Sequence, residues 1–163
     1  MAVTHSLRSG TVFIVDDDLS FLKSMSRLLS AVCYTVRAFE SAQEFLEQLS
    51  PETTGCVVTD VQMPGIDGLK LQEALGKTTN PLPVIFLTGQ GDIPTTVTAM
   101  RSGAEDFLTK RAPKEELLAA VERAFQRDAN ERQQRGRRRG WMAVVLPGPR
   151  RRPRTAHIRH LFH

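Results

Sequence analysis

A short apolar run that ends in a carboxylate constrains the fold of this chain more than any other feature. Residues 56–58 are apolar and are followed by Thr59 and Asp60. Continuous apolar runs of this length are typical of strands that are buried on both faces of a parallel sheet. The loop after Asp60 contains proline and glycine, which turn the chain away from the sheet. Asp60 is therefore predicted at the carboxyl end of a strand, the edge at which open α/β sheets bind ligands.

Strand and helix patterns alternate along the chain. Strands are predicted at residues 11–15, 34–39, 56–59, 83–87 and 106–109. Helical patterns follow each of them: from Leu19 with Asp18 as N-cap, from a capping box at Ser41, through residues 69–75, from a cap at Asp92 to Gly103, and from Lys114 to about Gln134. This alternation predicts an α/β fold with a five-stranded parallel sheet and helices on both faces.

The charge of the chain is unevenly distributed. The 163 residues carry a formal net charge of +4, but residues 1–128 sum to −5 and residues 129–163 to +9. No run reaches the roughly 18 apolar residues that can span a membrane, and the N-terminus has no signal-peptide pattern. Cys33 and Cys56 both have apolar neighbours in the sequence, which predicts buried free thiols. We expect a soluble, cytoplasmic protein.

Five polar side chains follow strands that end at the same edge of the predicted sheet. Asp16 and Asp17 follow the first strand, Asp60 the third, Thr88 the fourth and Lys110 the fifth. Crowded carboxylates favour a hard divalent cation such as Mg²⁺, which takes oxygen ligands and offsets their repulsion. Asp60 could then attack phosphorus, with Thr88 as hydrogen-bond donor and Lys110 as cation. The sequence therefore predicts phosphoryl transfer to an aspartate.

Four separated motifs resemble the response-regulator receiver domain, in particular its FixJ-like branch. They are TVFIVDDD from residue 11, VVTDVQMPGIDGL from residue 57, PVIFLTG from residue 83 and GAEDFLTK from residue 103. The resemblance covers residues 11–134. It implies a flavodoxin-like fold with strand order 2-1-3-4-5.

The resemblance also implies roles for residues around the predicted acidic edge. Asp60 is similar to the family's phosphoacceptor. Asp17, Asp60 and the backbone carbonyl of Gln62 are similar to its Mg²⁺ ligands, with Asp16 acting on the metal or its water. Mg²⁺ is therefore the expected cofactor.

Three further residues resemble the family's switch and its phosphate-pairing lysine. Thr88 and Phe107 match the switch hydroxyl and aromatic, and Lys110 matches the lysine. The family usually joins that lysine to proline through a cis bond, whereas Arg111 follows here and the nearest proline is Pro113. Because a cis bond to a residue other than proline costs about 2.5–4 kcal/mol, a trans bond is expected.

The resemblance implies a signalling switch and not an enzyme in the metabolic sense. A histidine kinase would supply the phosphoryl group, and the surface formed by helix 4, strand 5 and helix 5 would respond by dimerising or binding a partner. One alternative is a receiver-like module that only binds, which the Lys110-Arg111 pair favours. Another is an aspartyl-nucleophile phosphatase, but Gln62 stands where a second acid would be expected.

The chain divides by pattern into three parts. Residues 1–10 are predicted to be a flexible leader, residues 11–128 the receiver domain, and residues 129–163 a helix extension with a basic, disordered tail in which Pro147, Pro149 and Pro153 break any helix. The FixJ-like branch continues into a DNA-binding helix-turn-helix domain, and no such pattern is recognised after Gln134. The tail is interpreted either as a basic segment that binds nucleic acid weakly or, as we favour, as the product of a frameshift or truncation.

Overall fold

The structure of the chain is a computed structural model that describes residues 10–90 and 93–145, with side chains described through residue 136. Most of the predicted leader, the predicted cap at Asp92 and the chain after residue 145 lie outside the described residues.

Five parallel strands form one sheet in the order β2-β1-β3-β4-β5, as predicted. The strands are β1 (Thr11–Val15), β2 (Thr35–Phe39), β3 (Gly55–Asp60), β4 (Val84–Thr88) and β5 (Asp106–Thr109). The helices are α1 (Leu19–Ala31), α2 (Ala42–Glu47), α3 (Gly68–Gly76), α4 (Ile93–Arg101) and α5 (Lys114–Val145). Each predicted strand is present within one residue of its predicted ends.

Alternate side chains of the strands enter two separate cores, one on each face of the sheet. On one face Phe13, Val57 and Phe86 pack with residues of α2, α3 and α4. On the other face Ile14 and Val58 pack with residues of α1 and α5. This division follows from the period of two in a strand, which sends neighbouring side chains to opposite faces. Both faces of the sheet are covered, as expected for a parallel sheet.

Side chains at the starts of three helices form N-caps, and those at Asp18 and Ser41 were predicted. The carboxylate of Asp18 accepts from the Phe21 N–H at 3.2 Å at the start of α1. The hydroxyl of Ser41 accepts from the Glu44 N–H at 3.2 Å at the start of α2. Asp67 caps α3 in the same way. Each cap satisfies a backbone donor that has no partner inside the helix, and so fixes where the helix begins.

Helix α5 is longer than its predicted end near Gln134, because it continues to Val145. The predicted end near Gln134 was therefore too early. Gly136 and Gly140 each cost the helix about 1 kcal/mol relative to alanine, but neither blocks its hydrogen bonds. The three arginine residues between them are good helix formers, and the first proline after them in the sequence is Pro147.

Polar contacts hold the first part of α5 to the sheet. The buried carboxylate of Asp128 accepts from the Gly55 N–H at 3.0 Å, at the start of β3. Glu122 accepts from the Tyr34 hydroxyl at 2.7 Å, just before β2. Arg132 pairs with Asp128 one helical turn further on. Because these contacts reach the amino ends of two strands, they fix how α5 lies across the sheet.

The two cysteines differ from each other. Cys56 is buried in β3 as predicted, whereas Cys33 is exposed, so the prediction of a second buried thiol was wrong. Cys33 follows the end of α1 and has a φ of 72°. That conformation turns the chain from α1 into β2. The apolar neighbours of Cys33 in the sequence therefore enter the core while Cys33 itself does not.

Candidate functional site

The polar side chains predicted at one edge of the sheet are placed there by backbone hydrogen bonds. The Asp16 N–H donates to the Phe39 carbonyl at 3.1 Å, which extends the pairing of β1 with β2 by one residue. The Lys110 N–H donates to the Thr88 carbonyl at 2.8 Å, which does the same for β4 and β5. These bonds therefore fix the backbone of Asp16 and of Lys110 at the carboxyl edge of the sheet.

Three carboxylates meet at this edge. One oxygen from each of Asp16, Asp17 and Asp60 lies within 4.8 Å of the others. The side chain of Asp16 is only 1% exposed, that of Asp60 is 13% exposed, and Asp17 lies in solvent. Burial raises the pKa of Asp16, although the hydrogen bond from Lys110 opposes this. Oxygen ligands grouped in this way can hold a divalent cation.

The contacts of the Asp16 carboxylate are consistent with a role in holding a divalent cation. Its Oδ1 accepts from the Asp18 N–H at 2.9 Å. Its Oδ2 is buried and pairs with the Lys110 ammonium at 2.7 Å. A carboxylate oxygen can accept more than one partner, so Oδ2 could also contact a cation.

Lys110 links the buried and the more accessible carboxylates. Its Nζ lies 2.7 Å from Asp16 Oδ2 and 3.3 Å from Asp60 Oδ2. Burial alone would lower the pKa of Lys110, but the hydrogen bond and the charge of Asp16, with a further contribution from Asp60, raise it. Lys110 is therefore a cation at neutral pH. There is no cis peptide bond among the described residues, so the bond from Lys110 to Arg111 is trans as expected.

The loop after Asp60 is held close to the strand by Gly68. The Gly68 N–H donates to the Val61 carbonyl at 2.9 Å. A Cβ on Gly68 would lie 2.4 Å from the Asp60 carbonyl oxygen, a distance that real contacts do not reach. Within the loop, the Gln62 N–H donates to Asp60 Oδ1 at 3.4 Å. The loop therefore folds back on Asp60 and places Gln62 beside it.

Thr88 and Phe107 are both near this edge but engage other partners. Thr88 is buried, and its hydroxyl donates to the Gln90 carbonyl at 3.1 Å and accepts from the Gln90 N–H at 3.3 Å. The half-buried ring of Phe107 packs against Phe86, with ring centroids 5.6 Å apart. Thr88 is thus bonded within its own loop, and Phe107 lies along the sheet and not among the carboxylates.

The aromatic ring of Phe21 is a feature of the site that sequence reasoning missed. The Lys110 ammonium lies 4.4 Å from the centroid of this ring. Phe21 stands in the first turn of α1, four residues after Asp17. Closeness to Asp17 in the sequence could have placed Phe21 near the acidic edge, but it does not indicate the contact with Lys110.

Comparison with known proteins identifies the family to which this arrangement belongs. The model of the response regulator receiver domain matches residues 12–122. The chain belongs to the response regulator receiver domain family. Receiver domains are signalling modules of response regulators, so the matched part of this chain is a signalling domain.

Curated relatives place the domain near FixJ-like regulators. Nodulation protein W of Bradyrhizobium diazoefficiens is 44% identical over 130 residues, which are 80% of this chain and 57% of that protein. The transcriptional regulatory protein FixJ of the same organism is 40% identical over 116 residues, 71% of this chain and 57% of that protein. The chain thus spans little more than half the length of these relatives.

Solved structures agree with the observed fold. The response regulator StyR has a TM-score of 0.78 and 40% identity over 85% of this chain and 71% of its own. The structure of FixJ-N has a TM-score of 0.67 and 37% identity over 72% of this chain and 94% of its own.

Within the part of the chain that the structure describes, no helix is both long and apolar enough to cross a bilayer.

Proposed function

We propose that Asp60 accepts a phosphoryl group from the phosphohistidine of a sensor histidine kinase. The observation that carries this proposal is the position of Asp60: a strand-end carboxylate, partly accessible, with a lysine ammonium 3.3 Å away and two further carboxylates beside it. An Asp60 oxygen forms the bond to phosphorus as the phosphorus–nitrogen bond breaks, and the imidazole leaves.

Asp16, Asp17, Asp60 and the backbone carbonyl of Gln62 are the groups that would hold Mg²⁺ in this proposal. The carboxylate set matches the oxygen ligands that Mg²⁺ prefers. When bound, Mg²⁺ would neutralise charge on the phosphoryl oxygens. Asp17, which lies in solvent, is the member of the set that is open to a hydrated ion.

Lys110 would pair with the phosphoryl group while keeping its contact with Asp16. Its ammonium already bridges Asp16 and Asp60, so little movement is needed to reach an oxygen carried on Asp60. Asp16 is nearly fully buried and holds the lysine at the edge of the sheet. This arrangement favours a working acceptor over a module that only binds, despite Arg111 in place of proline.

Thr88 and Phe107 would convert phosphorylation into a change of surface. If the Thr88 hydroxyl turns to a phosphoryl oxygen, it gives up its two bonds with Gln90, and the loop before α4 loses a constraint. Phe107 is only half-buried and so could change its packing against Phe86. The phosphoryl group would thus favour one of two arrangements, which is a population shift.

The surface that we propose responds to this shift is formed by α4, β5 and the first part of α5. Ile93, Val97 and Met100 are exposed and recur along α4 at helical spacing. On the neighbouring elements, Arg123 pairs with Asp106 at 2.7 Å and with Glu105 at 3.4 Å. An apolar stripe beside charged pairs fits a dimer interface or a protein partner.

Two further activities belong to this proposal. The receiver would catalyse its own phosphorylation from small donors and its own slow dephosphorylation. If the basic residues after position 129 form a functional segment, the alternative to the favoured frameshift or truncation, they would add weak, salt-dependent contact with nucleic acid through phosphates.

Incubation with acetyl phosphate and Mg²⁺, followed by intact mass measurement, tests the proposed acceptor. The wild type is expected to gain one phosphoryl group and Asp60→Asn none. Asp67→Asn is the matched control, since Asp67 lies in the same loop and asparagine also caps a helix. It should be phosphorylated like the wild type. A gain that persists in Asp60→Asn would overturn the assignment of Asp60.

A further inference from the structure

Phe21 lies against the ammonium group that is central to the site. Its ring centroid is 4.4 Å from Lys110 Nζ, within the range of an attractive cation–π contact. The same nitrogen has two other charged neighbours, Asp16 and Asp60. Lys110 therefore has a third contact that is aromatic and uncharged.

The position of Phe21 is itself fixed by the acidic segment before α1. The Phe21 N–H donates to the Asp18 carboxylate at 3.2 Å, so the helix cap sets the backbone of Phe21. Its half-buried ring packs with the core that α1 and α5 share. Backbone and ring are thus both restrained, and Phe21 can restrain a more flexible neighbour.

Lys110 is such a neighbour. A lysine side chain carries a point charge on a flexible four-carbon stem and loses considerable rotamer freedom when it is held in one place. Here the lysine is followed by Arg111 through a trans bond, without a proline to stiffen the chain. Asp16 attracts Lys110 Nζ at 2.7 Å, closer than Asp60 at 3.3 Å. A contact that limits the rotamers of Lys110 would keep its ammonium within reach of Asp60.

We propose that Phe21 is a positioning residue that holds the Lys110 ammonium beside Asp60 through its ring face. The inference rests on the proposed role of Asp60 and Lys110 in phosphoryl transfer. Phe21 touches neither Asp60 nor the incoming phosphoryl group in this account, and it acts only through Lys110.

Substitutions at Phe21 separate this role from simple packing. Phe21→Leu keeps an apolar side chain but removes the ring face, whereas Phe21→Tyr keeps the ring face. Met25→Leu is a matched control, because Met25 is a partly buried residue one turn further along α1 that packs in the same core. Thermal unfolding of each variant reports any loss of stability.

The first measurement is the NMR chemical shift of the Lys110 Hε protons. The aromatic ring beside the ammonium should shift these protons in the wild type and in Phe21→Tyr. The ring-induced shift should disappear in Phe21→Leu and persist in Met25→Leu. An unchanged Lys110 shift in Phe21→Leu would overturn the inference, whether or not the protein accepts phosphoryl groups.

The second measurement is the rate of phosphorylation by acetyl phosphate at saturating Mg²⁺. Phe21→Leu is expected to react roughly 3- to 10-fold more slowly, and Phe21→Tyr and Met25→Leu at about the wild-type rate. A wild-type rate in Phe21→Leu, or equal slowing in Phe21→Tyr, would overturn the positioning role. A wild type that gains no phosphoryl group would instead overturn the proposed function, while the Lys110 shift would still report on the contact.

Discussion

Cys33 has a backbone conformation that residues with side chains rarely adopt. Its φ is 72°. The Cys33 N–H donates to the Ser30 carbonyl at 2.9 Å, and the Tyr34 N–H donates to the Leu29 carbonyl at 3.0 Å. These two bonds form a Schellman motif, in which glycine usually occupies this position. The Cβ of Cys33 therefore costs stability, roughly 1 kcal/mol.

Cys33→Gly is expected to raise the free energy of unfolding by about 0.5–1 kcal/mol, because glycine adopts a positive φ without strain but gains freedom in the unfolded chain. Urea denaturation measures this change. Cys33→Ala is the control, since it removes the thiol and keeps the Cβ, and it should not stabilise the protein. Equal stabilisation by both variants would mean that the thiol, and not the backbone, is responsible.

At the scale of the elements, the close approach of β1 and β3 depends on Gly55. Its φ is +126°, and a Cβ there would lie 1.9 Å from the Thr11 carbonyl oxygen. Its N–H also donates to Asp128 of α5. Gly55 thus joins two strands and a helix at the amino edge of the sheet, opposite the acidic site.

Gly55→Ala is expected to lower the free energy of unfolding by roughly 3 kcal/mol or more, because the backbone clash must separate β1 from β3. Gly76→Ala is the matched control. A Cβ on Gly76, at the end of α3, meets nothing within 4 Å, so alanine should be neutral or stabilising by up to about 1 kcal/mol. If thermal unfolding shows similar stability for the two variants, the packing described for Gly55 is wrong.

At the scale of the whole molecule, the exposed stripe on α4 provides a test of the proposed dimer. Ile93 is 78% exposed and lies in one stripe with exposed Val97 and Met100, and a contiguous exposed apolar surface is typical of an interaction site. We expect acetyl phosphate and Mg²⁺ to shift the wild type from monomer towards dimer in analytical ultracentrifugation. Ile93→Gln should weaken that dimer roughly tenfold, since it removes a large exposed apolar side chain from the proposed interface.

Leu19→Gln is the control for this experiment. Leu19 is 51% exposed and apolar like Ile93, but it begins α1 and not α4. It should leave the dimer unchanged. Equal weakening by both variants, or none by Ile93→Gln, would contradict the use of the α4 surface.

The fold and the edge of the site were predictable because both follow from local patterns. Apolar runs with helical segments between them leave few arrangements other than a parallel sheet. Carboxyl ends of parallel strands share one edge, so Asp16, Asp60 and Lys110 had to lie near each other. The position of Asp60 at the end of a strand could therefore be predicted from the sequence alone.

Other features depend on tertiary contacts that no local pattern encodes. Phe21 on α1 and Lys110 after β5 are 89 residues apart in the sequence. The spacing of residues along α1 does not indicate a contact with so distant a residue. Cys33 is exposed because the chain turns there with a positive φ. Helix α5 extends to Val145 because glycine weakens a helix without ending it.

Mapping the phosphorylated residue tests the central claim most directly. After reaction with acetyl phosphate and Mg²⁺, borohydride reduction converts an aspartyl phosphate into homoserine, which peptide mass spectrometry locates. The account predicts homoserine at position 60 alone, with Asp16, Asp17 and Asp18 unchanged although they lie in the adjoining segment. Homoserine at any of those three positions and not at position 60 would contradict it, as would a phosphorylated protein that yields no homoserine.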